Sequence, residues 1–199
     1  MQAAAEYQIV RPGLFYWQVY EPSVKTELCC CALETPRGLV FCDPVPLAPE
    51  ALEEMMDGRT AHEIVLTNAN HERGAAALAR RLGVEVWAGA GAKGAVAAGR
   101  WYGDGEALSG GVETISLEGF AAGETALWWD GVLIMGDALI HAPPYGFAVL
   151  PEKYCGDYDK GRVELRKLLG YRVEILMFAH GLPIVARARE RLAGVVEGT

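Results

Sequence analysis

Residues 66–74 read Leu-Thr-Asn-Ala-Asn-His-Glu-Arg-Gly. The stretch closes a short apolar run, Ile64, Val65 and Leu66, and opens onto Ala75, Leu78, Ala79 and Leu82, which recur at helical spacing. A buried strand therefore passes through a polar loop into a helix, expected from Glu72 to Leu82 and stopped at Gly83. Val84 to Ala88 has the composition of the next strand, so residues 64–88 form a strand, helix, strand unit long enough for a parallel pair. In layered α/β proteins, polar residues that gather after such strands commonly build sites.

Upstream of this unit, Leu14 to Tyr20, Thr26 to Glu34 and Gly38 to Cys42 read as a β-meander turned at Pro36-Arg37-Gly38. A short helix from about Glu50 to Met56 follows the prolines at 44, 46 and 49, with Leu52 and Met55 or Met56 on its apolar face. Downstream, Trp101 to Gly105, Val112 to Leu117, Thr125 to Trp129 and Val132 to Met135 form a second series of strands, with Asp130-Gly131 as a hairpin turn. Residues 138–158, rich in proline and aromatics, read as an irregular lid. A helix from about Lys160 to Leu169, a strand from Val173 to Phe178 and a helix from about Pro183 to Val196 complete the chain. No compositional break asks for a second domain, so 1–199 is read as one.

The 199 residues are 51% hydrophobic, enough for one substantial core. With 18 basic against 26 acidic residues the formal charge is -8, and no basic run tracks a phosphate backbone. Nucleic acid is not expected as a partner, nor is a membrane, because the apolar runs fall short of the roughly 20 residues a span needs. A small anionic metabolite remains an expected ligand, and self-association is left open. Cys29, Cys30 and Cys31 are consecutive, so in a strand they point to alternate faces and cannot converge as a tetrahedral ligand set. Buried free thiols, and with them a reducing cytoplasmic location, are the expectation. The Gly-rich segment 89–99 lacks the GxGxxG and Walker spacings, and no GxSxG elbow is present.

Three strand ends carry polar groups: Leu66 runs into Thr67 to Arg73, Met135 into Gly136-Asp137, and Phe178 into Ala179-His180-Gly181. The order of these motifs resembles the metallo-beta-lactamase superfamily, whose four-layer αββα sandwich is then the expected fold. The resemblance runs from about Leu14 to Val196. Its first metal motif, THxHxDH, corresponds here to Thr67 to Arg73. Asn68 and Asn70 stand at the first two histidine positions, Glu72 at the aspartate and Arg73 at the next histidine. Phe120, within Gly119 to Gly123, replaces the histidine of a GHTPG-like turn. Gly136-Asp137 and His180-Gly181 match the later landmarks, and Asp43-Pro44 resembles the family's DPG turn.

Amide, phenyl and guanidinium groups are poor replacements for imidazole, so the resemblance implies loss of the usual dinuclear centre. The expected protein is a degenerate member that keeps a polar binding pocket, with no metal favoured. His71, His180, Arg73 and Asp137 are its expected working residues, and Asn68, Asn70, Glu72, Phe120 and His141 its lining. Arg73 is expected to pair with Asp137, supplying the charge that the metals would have supplied. Asn68 or Asn70 is expected to cap the following helix. Two alternatives stand beside this reading. One is a metal-dependent hydrolase holding zinc or another divalent ion in a mononuclear site on His71, His180 and a carboxylate. The other is a metal-free acid–base enzyme acting on a small anionic or carbonyl substrate.

Overall fold

The meander and the parallel unit at 64–88 join in one sheet, which stacks on a second sheet formed by the later strands, with helices on the outside. A computed structural model describes residues 1–198. Its strands are β1 (Gln8–Arg11), β2 (Leu14–Glu21), β3 (Thr26–Thr35), β4 (Gly38–Cys42), β5 (Ala61–Leu66), β6 (Glu85–Gly89), β7 (Arg100–Tyr102), β8 (Glu113–Ser116), β9 (Thr125–Trp129), β10 (Val132–Met135), β11 (Leu139–Ala142), β12 (Gly146–Val149) and β13 (Ile175–Phe178). The α-helices are α1 (Pro49–Met56), α2 (Ala75–Leu82), α3 (Tyr158–Glu164) and α4 (Ala188–Glu197). Strands β1 to β7 form one sheet in chain order, and β13, β10, β9 and β8 form the second. The pair β5 and β6 is parallel, as the crossover spacing requires, and β10 pairs in parallel with β13.

The side-chain period of two assigns each strand's residues to a layer. Cys29, Cys31, Leu33, Val40 and Val65 pack inward against Leu127, Ile134 and Met177 of the second sheet. The intervening residues, such as Cys30, Ala32, Phe41 and Ile64, face outward with Leu52 and Met55 of α1 and Ala75 of α2. On the far side, Leu133, Met135 and Phe178 pack with Leu192 and Val196 of α4 and with the segment around α3. The result is the αββα sandwich. The five cysteines are free thiols, four of them buried in alternate layers.

Beyond an added first strand, β1, and an expected Lys160–Leu169 helix that is α3 followed by a 3-10 turn at Leu165–Gly170, three departures bear on the site. Helix α2 begins at Ala75, because Arg73 takes a left-handed backbone with φ 40° that an α-helix cannot include. Helix α4 begins at Ala188, since Ile184 instead bridges to Leu176 and Arg187 has φ 53°. The expected irregular lid contains an ordered hairpin, in which β11 and β12 pair antiparallel from Leu139–Val149 to Ala142–Gly146.

Phe120, expected as pocket lining, is core. It is buried among Ile115, Leu117, Leu133 and Leu165, and its ring lies so close to Gly161 of α3 that a methyl there would approach Cζ to 2.7 Å. Its absence from the cavity follows from that packing. We predict that Phe120→Ala destabilises the fold by about 3–5 kcal/mol, the range for emptying a buried phenyl site, measured by denaturant unfolding.

Candidate metal centre

Sheet order brings the ends of β4, β5, β10 and β13 to one edge of the sandwich, where each strand releases one or more polar residues. Asp43 leaves β4 with φ 49°, and its carboxylate turns toward the loop after β5. Asp43 Oδ1 accepts the Thr67 backbone N–H at 2.8 Å, and Oδ2 accepts the Thr67 hydroxyl. His71 Nδ1 lies 2.9 Å from the same Oδ2. This carboxylate therefore fixes both the strand end and the imidazole that follows it. His71 is 2% exposed, although it belongs to a loop.

The opposite ring nitrogen of His71 faces Asp137. His71 Nε2 lies 3.1 Å from Asp137 Oδ1, and His180 Nε2 lies 3.3 Å from that oxygen. The His71 approach is within ion-pair range but not aligned for a hydrogen bond, so Nε2 is a buried nitrogen without a hydrogen-bond partner. His180 Nδ1 is 3.1 Å from the Glu27 carbonyl oxygen. The two imidazoles meet edge to face, with ring centroids 5.7 Å apart. One donor atom from each of His71, Asp137 and His180 falls within 4.8 Å of the other two.

Asn68 and Asn70 do not cap α2, whose first residue follows Gly74 with no side-chain cap. Asn68 Oδ1 accepts the Asn70 N–H at 2.8 Å, an Asx turn that closes the loop on itself. Asn68 Nδ2 donates to Glu124 Oε2 at 2.7 Å and to Asp137 Oδ2 at 3.0 Å, while Asn70 Nδ2 reaches Asp137 Oδ2 at 3.3 Å. The two amides standing at histidine positions thus serve as donors to the carboxylate. Glu124, Asp43 and Thr67 are parts of this site that sequence reasoning did not single out as functional. The only available signal for Glu124 was an acid placed directly before β9.

Arg73 does not pair with Asp137. Its Nη1 donates to the carbonyls of Cys29 at 2.7 Å and Asp43 at 3.3 Å, and Nη2 donates to that of Ala179 at 3.3 Å. The guanidinium ties the ends of β4 and β13 to β3, and it does so through backbone oxygens. Glu72 stays outside the donor cluster, with its carbonyl accepting Ala75 N–H. His141 also lies apart: its Nδ1 is 2.7 Å from the Leu182 carbonyl and its ring packs against Phe147 and Phe178.

Charge is balanced among these side chains by His71. Burial and Arg73 act against its protonated form, but Asp137 and Asp43 outweigh them and raise the imidazole to about 9. Burial raises the two partner carboxyls, yet His71 pulls Asp43 below its ordinary range, and His71 with His180 pulls Asp137 well below. Glu124 behaves oppositely, pushed well up by burial and by Asp137.

The cluster lies at the floor of a cavity of about 890 Å³. Its walls include Val24 and Lys25 from the β2–β3 turn, Pro144 and Tyr145 from the β11–β12 turn, and Leu150 and Tyr154 beyond. A raised histidine binds its proton more tightly in the folded chain than in the unfolded one. Its stabilisation is therefore full below 6.5 and is lost as pH rises through about 9. In chelator-treated protein we expect the urea midpoint to fall across that interval, and a His71→Asn variant to lack this part of the slope.

A sequence model of the metallo-beta-lactamase superfamily matches residues 7–198. The solved structure of DIM-1 metallo-beta-lactamase exposed to ceftazidime is similar with a TM-score of 0.77, at 12% identity and over 99% of each chain. A metallo-beta-lactamase from Pontibacter korlensis gives a TM-score of 0.74 at 12% identity, covering 98% of this chain and 99% of that one. A metallo-beta-lactamase family protein from Thermus thermophilus gives 0.68 at 18% identity, covering 95% of this chain and 80% of that one. At these identities the likeness is one of fold, and no curated protein matches by sequence. Since the family model spans nearly the whole chain and the sandwich is shared end to end, the protein belongs to the metallo-beta-lactamase superfamily, as a divergent member with an atypical donor cluster of His71, Asp137 and His180.

Proposed function

We propose that the chain is a hydrolase dependent on one divalent ion, zinc by the chemistry of the donors, held by His71, Asp137 and His180. The observation that carries this reading is the orientation of the two imidazoles. Each turns Nε2 toward Asp137 Oδ1, while its Nδ1 is held from behind by the Asp43 carboxylate or the Glu27 carbonyl. Carboxylate or carbonyl support of the second ring nitrogen is the usual way a protein fixes the tautomer of a ligating histidine. The separations of 3.1 and 3.3 Å place both imidazole nitrogens beside one carboxylate oxygen, a mixed nitrogen and oxygen donor set of the kind that would hold zinc. His71 Nε2, which has no hydrogen-bond partner, would in the neutral imidazole offer its lone pair to the ion.

When bound, the ion supplies Lewis-acid polarisation of a carbonyl or phosphoryl oxygen and activation of water. Asp43 orients His71, and Thr67 holds Asp43. Asn68 and Asn70 keep Asp137 turned toward the histidines. Arg73 secures the loop ends without entering the cavity chemistry. The cavity is large enough for a substrate with an apolar body against Pro144, Tyr145 and Leu150, and Lys25 at its edge supports an anionic group on that substrate.

A metal-free acid–base reading has one observation in its favour, the raised His71 held between Asp43 and Asp137. Chelation separates the two. Protein purified without chelator is expected to contain about one zinc per chain by elemental analysis. His71→Ala and His180→Ala should each lose it, whereas Glu72→Ala should retain it. Turnover across an ester and phosphoester panel should stop on chelation and return with zinc. Turnover that survives complete metal removal would establish the metal-free reading instead.

A further inference from the structure

We infer that Glu124 is the positioning residue of this centre, acting with Asn68 to present Asp137 to the cavity through a single oxygen and so limit the site to one ion. The inference rests on the one-ion reading above. Glu124 is 3% exposed, and it is not part of the cavity wall. Its Oε1 accepts the backbone N–H of Asp137 at 2.6 Å and of Ala138 at 2.9 Å. The turn after β10 therefore hangs from this oxygen. Its Oε2 accepts Asn68 Nδ2, and the same nitrogen lies 3.0 Å from Asp137 Oδ2. One buried carboxylate thereby joins the loop after β5, the turn before β9 and the turn after β10.

The consequence for Asp137 follows from counting its oxygens. Oδ2 faces the amide hydrogens of Asn68 and Asn70, whose positive ends oppose a cation on that side. Oδ1 faces both histidines. Glu124 sets which oxygen is which, because it anchors the backbone of Asp137 and the amide of Asn68 together. Gly136 makes this approach feasible: a Cβ at that position would come within 2.7 Å of Glu124 Oε1 and 2.8 Å of Thr67 Oγ1.

The test is cobalt titration of the full metal-free chain, followed by its visible absorption spectrum. Wild type is expected to take up one cobalt ion. Glu124→Gln keeps the shape but places an amide N–H against either the backbone donors or Asn68. It is expected to weaken cobalt binding by about 10–100-fold, the range for supporting residues around a metal, and to change the visible bands. Asn68→Ala, which leaves Glu124 on its two backbone donors, should change the bands in its own right and provides the measurement if Glu124→Gln does not fold. A purely structural role would lower the melting temperature while leaving the spectrum of the loaded protein unchanged. Wild-type affinity and an unaltered spectrum in the variants would overturn the inference alone. A wild-type chain that takes up no cobalt would overturn the one-ion reading, and the inference with it.

Discussion

The site depends on the burial of Asp137. A carboxylate removed from water at the end of β10 must be met by positive charge or by hydrogen-bond donors, because the cost of leaving it bare exceeds what the surrounding packing returns. Its two oxygens divide that task. One is covered by the amides of Asn68 and Asn70, and the other faces the imidazoles of His71 and His180. These partners come from the ends of two different strands, so the carboxylate's requirement is also what draws the loops together.

His71 carries the charge balance that the motif pattern had suggested for Arg73. The long side chain of Arg73 reaches past the neighbouring carboxylate to the carbonyl oxygens of Cys29 within β3, Asp43 after β4 and Ala179 after β13. The histidine is shorter and is gripped by Asp43, which leaves its second nitrogen aimed at Asp137. The same arrangement serves either as a protonated imidazole between two carboxylates or as a neutral ligand to an ion. On the one-ion reading, proton and divalent cation would compete for one position, with low pH favouring the proton.

The sandwich provides rigidity for this exchange. Cores between and outside the sheets hold β4, β5, β10 and β13 in place. Variation is confined to the turns they feed. The replacement of a ligand position by Phe120 illustrates the separation: the side chain has joined the hydrophobic layer beneath α3. Beside Asp137, Glu124 and Asn68 are joined by a buried hydrogen bond.

Local sequence determined the strands of the meander, the parallel unit and the second sheet, their alternating layers and the order of the motifs, but not β1 or the β11–β12 hairpin, because periodicity and turn chemistry act over a few residues. Three of the four strand ends that carry the site were legible, since each apolar run stops at a polar group. Tertiary structure alone decided the partners. The choice between Arg73 and His71 depended on the reach and direction of side chains far in sequence from Asp137, and the role of Glu124 on two turns meeting across sheets. The helix limits at Ala75 and Ala188 coincide with left-handed backbone at Arg73 and Arg187, which periodicity does not encode. Sequence patterns describe which face a residue takes; only the packed chain determines which distant group that face meets.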